Sequence, residues 1–522
     1  MAVPPPAVVS AQCGTANPPV FPADPFSAPG DRQLKPSPCE VSVAPPSPAP
    51  FVGAPRTAGL VELLGAFASG TLSPAALLQD LRAAAAALPA GQQGILRFDP
   101  AADMAARESA RRWRAGTARP LEGIPFAVKD IIDVEGMAVT CGSHLAGDRI
   151  AEHDAPVIAC LRAAGAIPFA MAATTEYAAG SPFNPRFGTV TNPWNAGRWT
   201  GGSSTGSGAV LAARLAPFAL GTDTGGSIRV PSAWCGVTGL KPTRSRVSRD
   251  GVACLSWTLD HVGPMARSAI DIARILPFMA EGPDVRLTQA CSDLATAPRA
   301  GQTLSGLTIG VASGWFTHRV DACVLEKWRA MLAVAQAAGA RLVDLPALPV
   351  EEWHDAGWTI LLSELAAHHR RHMHRRSEYD AGFLARLETG LRFSAADYGE
   401  ALALRRQAID AFDDVFAQVD LIMTPGLGGE AGTLQGLRVS IDDEDLPFQE
   451  VISRNTMVFD LTGLPALMMP SGFGRQDLPT AVQIVAARGK DDLCLRAGIT
   501  LQQRTAWHLS IPPGAGIEGA GK

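Results

Sequence analysis

Gly221-Thr222-Asp223-Thr224-Gly225-Gly226-Ser227-Ile228-Arg229, with Gly201-Gly202-Ser203-Ser204-Thr205-Gly206-Ser207-Gly208 a short way upstream, decides how this chain is read. Each run sets a serine among glycines, where backbone N–H groups can approach a ligand with no Cβ in the way. Before them, Pro125-Phe126-Ala127-Val128-Lys129-Asp130 places a lysine at the end of a short apolar run that reads as a buried strand. A serine hydroxyl is a poor nucleophile at neutral pH and needs a base in contact with it. A lysine serves as that base only where desolvation keeps its amine neutral. Lys129, flanked by Ile124, Phe126, Val128, Ile131 and Ile132, has such a setting. Two serines and a buried lysine thus make a proton relay that needs no histidine. The successive amides of Thr224, Gly225, Gly226 and Ser227 offer the second requirement, N–H groups aimed at a developing oxyanion.

On these residues the chain resembles the amidase signature family of serine hydrolases. The close match runs from Gly201 through the 221–229 run to Cys235-Gly236-Val237-Thr238-Gly239-Leu240-Lys241-Pro242-Thr243. Looser similarity covers roughly 56–510, taking in Asn192-Pro193-Trp194, Asp260-His261-Val262-Gly263-Pro264 and Leu461-Thr462-Gly463-Leu464-Pro465. The resemblance implies Lys129 as general base, Ser203 as a bridging serine entered by a cis peptide bond, and Ser227 as the acylated nucleophile. It makes the amides of Thr224 to Ser227 the oxyanion hole, and Asp223 and Arg229, with Ser204, the residues that brace the loop. The separation of bridge and nucleophile, 227 − 203 = 24, is the one the family motif keeps. The chain departs from the common wording at Thr205, at Ile131 and over Ala170 to Tyr177, which touches the substrate pocket rather than the triad.

The function so implied is hydrolysis of an amide or carbamate C–N bond through a serine acyl-enzyme, with no metal and no organic cofactor. The expected partner is a small-molecule amide or carbamate, with no nucleic acid and no membrane; a homodimer is left open. Two other readings stand beside it. Lys241-Pro242-Thr243 and Arg246-Val247-Ser248-Arg249 resemble the amidase subunit of the tRNA-dependent glutamine amidotransferase, which passes ammonia to a partner. A reading of another class is a non-catalytic RNA- or phosphate-binding protein using the basic run at 368–376.

Three motifs compete locally. Gly202-Ser203-Ser204-Thr205-Gly206 fits the G-x-S-x-G elbow of an α/β-hydrolase, with Ser204 as nucleophile, but Asn195 to Thr200 before it does not read as a strand. Gly514 to Gly519 fits G-x-G-x-x-G yet follows Pro512-Pro513 with no helix after it. His368-His369-Arg370-Arg371-His372-Met373-His374-Arg375-Arg376 sets two histidines four residues apart, but its four arginines would repel a cation, so a solvated basic face is the expectation.

Composition bounds the rest. A 522-residue chain with 47% hydrophobic and 18% charged residues can bury a large core, and a net charge of −5 supplies no drive toward nucleic acid or an anionic membrane. Nine cysteines without a C-x-x-C pair look like free thiols of a reducing, cytoplasmic compartment. Residues 1–55 hold fifteen prolines with no apolar periodicity and are expected to be a disordered extension without signal peptide or transmembrane helix. Helical patterns follow at roughly 58–69, 74–88 and 100–115, then apolar strands alternate with helices: Ile124 to Lys129, a helix opening at Ala155-Pro156, Ile167 to Ala172, a helix from Ser204 to Leu215, and Pro217 to Gly221. That order argues for an α/β fold. The resemblance implies a single amidase-signature domain over 56–510, built on a large twisted mixed sheet flanked by helices, with 511–522 as a flexible tail. The stretch from about 320 to 415 is expected to shape the substrate pocket, with Trp315, Phe316, Trp353 and Trp358 as its candidate aromatic lining or as core.

Overall fold

Three helices, Leu60–Ser69, Pro74–Ala87 and Ala102–Arg114, lie near the start of the described residues, within two residues of their expected bounds. Ser73 caps the second by accepting a hydrogen bond from Ala76 N at 3.1 Å, and Pro74 fills the first helical position, where its missing N–H costs nothing. The computed structural model describes residues 54–280, 282, 284–296, 303–515 and 517, all within one compact unit. The proline-rich extension expected over 1–55 lies outside the described residues except for its last two.

The apolar runs become the middle of an eleven-stranded mixed sheet. From one edge its strands are Ile95–Phe98, Ile167–Ala172, Pro125–Lys129, Phe218–Asp223, His261–Ala266, Thr238–Lys241, Ala466–Phe473, Pro479–Ala486, Leu421–Pro425, Thr308–Val311 and Arg341–Asp344. Ile167–Ala172, Pro125–Lys129 and Phe218–Asp223 are buried throughout and parallel, as expected of continuous apolar runs covered on both faces. Phe126 lies opposite Phe218 in that register, and their rings stack at 4.8 Å, a contact worth about 0.5–1.5 kcal/mol beyond burial.

This register positions the candidate residues. Parallel pairing brings the carboxyl ends of Pro125–Lys129 and Phe218–Asp223 to one edge, with Val128 opposite Leu220, so Lys129 arrives beside Thr222. Such an edge is where open α/β sheets bind ligands. Helix Thr205–Ala212 precedes the second of these strands, with Ser203 and Ser204 at its amino end. Helices Ala322–Ala337, Val350–His369, Ala381–Gly390 and Ala395–Phe416 form most of the region expected to shape the pocket.

Three local expectations change. Asn195–Trp199 is a strand after all, paired with Thr191–Asn192 in a hairpin outside the main sheet. Alternation gave no signal because the strand is mostly exposed. Residues 511–515 are not a loose tail: Gly514 N donates to Pro193 O at 3.2 Å, Arg56 Nη1 donates to Ala515 O at 3.0 Å, and Ala515 is buried. The basic run is only partly solvated. His369 is buried, with Nδ1 2.9 Å from Tyr379 Oη, while Arg370 to Glu378 wind as a 3₁₀ helix. Among the described residues no helix is long and apolar enough to cross a membrane.

Candidate active site

Lys129 ends its strand with no exposure to solvent. Its Nζ lies 2.7 Å from Ser203 Oγ and 2.7 Å from Thr222 Oγ1. Burial penalises the ammonium form, and although the Asp223 and Asp260 carboxylates oppose that effect, the amine is pulled down to about 7. A lysine that is substantially neutral at physiological pH and touches a hydroxyl can accept its proton. The Gly202–Ser203 peptide bond is cis. Ser204, the elbow candidate, is fully buried with its Oγ 3.3 Å from Thr222 O, so it faces backbone rather than a cavity.

The loop from Thr224 to Ser227 is held from below. Asp223 Oδ1 accepts from Gly226 N at 2.5 Å, and Oδ2 accepts from Ile228 N at 3.1 Å. Burial alone would raise the Asp223 carboxyl, but the adjacent Arg229 guanidinium holds it down at about 2. Arg229, itself fully buried, spends every donor. Nε and Nη2 bind Asp223 at 2.9 and 3.0 Å, Nη1 reaches Thr456 O and Gln483 Oε1 at 2.9 Å each, and Nη2 also reaches Asp460 Oδ2 at 2.5 Å. Gly226 has φ of +131°, and a Cβ there would meet Thr456 Oγ1 at 2.5 Å, so only glycine fits.

This bracing narrows the expected oxyanion cradle. The Gly226 N–H is committed to Asp223 Oδ1, which it meets at 2.5 Å. The amides of Thr224, Gly225 and Ser227 have no partner among the described residues. Thr224 is fixed through its hydroxyl, which donates to Asp260 Oδ1 at 2.7 Å.

Ser203, Ser227 and the loop open onto one cleft. Ser227 is half-buried, and its Oγ has no hydrogen-bond partner among the described residues. Of the four aromatic candidates only Trp358 lines this cleft. Phe316 stacks on Phe459, Trp353 packs on Phe412, and Trp315 lies under the Arg454 guanidinium at 3.5 Å. The sequence reading missed Trp199, Phe448, Ser453 and Arg386, which complete the walls. They come from three separate segments, Phe448 and Ser453 sharing one, and no local motif connects them.

Residues 77–495 match the family model described as Amidase. The glutamyl-tRNA(Gln) amidotransferase subunit of Cupriavidus taiwanensis is 35% identical over 508 residues, covering 89% of this chain and 99% of that protein. Among solved structures, the native peptide amidase of Stenotrophomonas maltophilia aligns with a TM-score of 0.72 at 28% identity, covering 86% of this chain and 96% of that one. A structure described as an unexpected vestigial protein complex, bearing on the origins of an s-triazine catabolic enzyme, aligns at 0.79 and 29% identity, covering 86% and 98%. These relatives overturn the expectation that a small molecule is the sole partner. Proteins of the first kind are named as a subunit of a tRNA amidotransferase, and a subunit exists in an assembly. With its mixed sheet flanked by helices, its family match and neighbours that cleave amide C–N bonds, the chain is an enzyme of the amidase signature family.

Proposed function

We propose that this chain hydrolyses an amide C–N bond through a Ser227 acyl-enzyme, within a catalytic domain spanning 56–510, and that it works as the amidase component of an assembly with a second protein. The observation that carries the chemistry is the 2.7 Å contact between the buried Lys129 Nζ and Ser203 Oγ, beside a Ser227 hydroxyl open to the cleft. Neutral Lys129 takes the Ser203 proton while Ser203 takes that of Ser227, and Ser227 Oγ attacks the carbonyl. The oxyanion rests on the amides of Thr224, Gly225 and Ser227. The relay then returns the proton to the leaving nitrogen, the C–N bond breaks, and the amine departs. Water, deprotonated along the same path, cleaves the ester and restores Ser227. A carbamate carbonyl would pass through the same steps.

The assembly half of the reading rests on the relatives, which carry a subunit name and, in one solved case, the description of a protein complex. The 35% identity to the tRNA amidotransferase subunit favours a second reading too, in which glutamine is the amide and its ammonia passes to the partner. A fluorophosphonate tests the chemistry by labelling Ser227 in the full chain, with label and amide turnover both lost in Ser227→Ala. Native mass spectrometry of the protein purified from its source tests the assembly, which requires a stoichiometric second polypeptide. Label on another residue removes the first half, and a lone chain removes the second.

A further inference from the structure

We propose that the amide cleaved at Ser227 carries a carboxylate and no ammonium group, and that Arg386 binds that carboxylate; the inference rests on the acyl-enzyme reading above. Arg386 stands on helix Ala381–Gly390 and is the one charged side chain among the described residues that line the cleft of Ser203 and Ser227. Its Nη1 donates to Ala179 O at 2.6 Å, and its guanidinium lies 5.7 Å from the Trp358 ring centroid. Among the described residues no carboxylate pairs with it. Asp380, the acidic group whose charge bears on it, is occupied elsewhere, accepting from Ser181 N at 3.0 Å, Ser181 Oγ at 3.1 Å and Phe383 N at 2.9 Å. A guanidinium carries five N–H donors in a fixed fork and stays charged in a protein interior. Most of that fork therefore has no protein partner among the described residues, in a cleft whose apolar walls include Trp199, Leu361, Phe448 and Ile452.

The same walls exclude a positive group. Among the described residues neither aspartate nor glutamate lines the cleft, and Ser453, whose Oγ already accepts from Trp358 Nε1 at 3.2 Å, offers only a hydroxyl. A substrate carboxylate would replace its lost hydration with charge-assisted bonds to the fork of Arg386. A substrate ammonium would be desolvated without an anion and would share the cleft with a guanidinium. Glutamine carries both groups. 4-Carbamoylbutanoate has the same carbon skeleton and carboxylate without the amine, and pentanamide has the amide alone. The cleft fits the second of these three best.

The test uses the full chain and the rate at which a fluorophosphonate labels Ser227, with each of the three amides as protectant, so it needs neither turnover nor a second protein. The expected result is that 4-carbamoylbutanoate protects at a concentration at least about tenfold below glutamine or pentanamide. Measured against each variant's own unprotected rate, that advantage disappears in Arg386→Gln and is largely kept in Arg386→Lys, which retains the charge. Equal protection by the three amides, or best protection by glutamine, overturns the inference and leaves the acyl-enzyme standing. An advantage that survives intact in Arg386→Gln overturns the role of Arg386. Absence of labelling at Ser227 in the wild type removes the acyl-enzyme reading, and this inference with it.

Discussion

Thr224 and Asp260 are joined by a 2.7 Å hydrogen bond from the threonine Oγ1 to the aspartate Oδ1. The same carboxylate receives the amides of Leu255 and Ser256, and its charge supports the protonated form of Lys129 against burial. One buried side chain thus bears on both ends of the proposed relay, fixing the first residue of the oxyanion loop and tuning the base.

Asp260→Asn keeps the shape and removes the charge. With the carboxylate gone, protonated Lys129 loses support, so the amine becomes neutral at lower pH and the acid limb of kcat/KM shifts below its wild-type position. Loss of the Thr224 anchor should lower kcat by roughly 10- to 100-fold, since a loosened donor serves the transition state less well. A limb that stays in place or moves to higher pH would show that Asp260 does not act on Lys129.

The Lys129 amine sets that limb in the wild type. Because the neutral form does the work and burial brings the amine to about 7, activity should rise with pH through that region and level off above it. Lys129→Ala should lose activity by orders of magnitude while the fold persists. Lys129→Arg should fail almost as badly, because a guanidinium cannot give up its proton at these pH values. Substantial turnover by the arginine variant, measured as amine release, would mean that the residue supplies charge rather than accepting a proton.

The two neighbouring serine candidates separate cleanly. Ser204→Ala should still take the fluorophosphonate at Ser227, because Ser204 is buried with its hydroxyl against Thr222 O, whereas Ser227 opens onto the cleft. Peptide mapping after labelling decides it. Label on Ser204 would move the chemistry to an elbow-type nucleophile.

Lys129, Ser203 and the 224–227 loop were readable from sequence because each sits in a compact motif with a chemical reason for its residue types. The buried strands were readable for a related reason: Ile167–Ala172 is apolar throughout, and its observed bounds are those of the apolar run. Thr222 carried a weaker signal, since seeing it beside Lys129 requires the parallel register of two strands about ninety residues apart. The commitment of the Gly226 amide was hidden for another reason, because it depends on where the Asp223 carboxylate turns. Arg386, Ser453 and Phe448 had no signal at all. Their approach to Ser227 is produced by tertiary packing, and Trp353 and Trp358, five positions apart on one helix, divide between core and cleft, a split whose direction only the packing decides.

Arg229 provides the sharpest test of what holds the loop. Its guanidinium, Asp223 and Asp460 are all fully buried, and its donors bridge the two carboxylates while also reaching Thr456 O and Gln483. Arg229→Met would leave two buried carboxylates facing each other without a cation between them, a change expected to cost about 3–5 kcal/mol. Arg229→Lys should recover little, since a point charge with three donors cannot replace a planar fork serving four acceptor groups. The two carboxyls titrate in opposite senses in the wild type, since burial pushes the Asp460 carboxyl well above the usual carboxylate range. In the wild type Asp223 is held at about 2, below the 3.8 of a free aspartate, so its ionisation adds stability above the latter value that is lost as pH falls toward the former. In the methionine variant the unpaired carboxylates should hold protons more tightly than in the unfolded chain. They then oppose folding at neutral pH and are relieved by acid. Urea melts of wild type and variant at pH 7 and pH 5 should therefore show a large deficit that narrows on acidification. A deficit below about 1 kcal/mol at pH 7, the scale of an exposed ion pair, or one that widens in acid, would mean that the loop is held by packing rather than by this charge network.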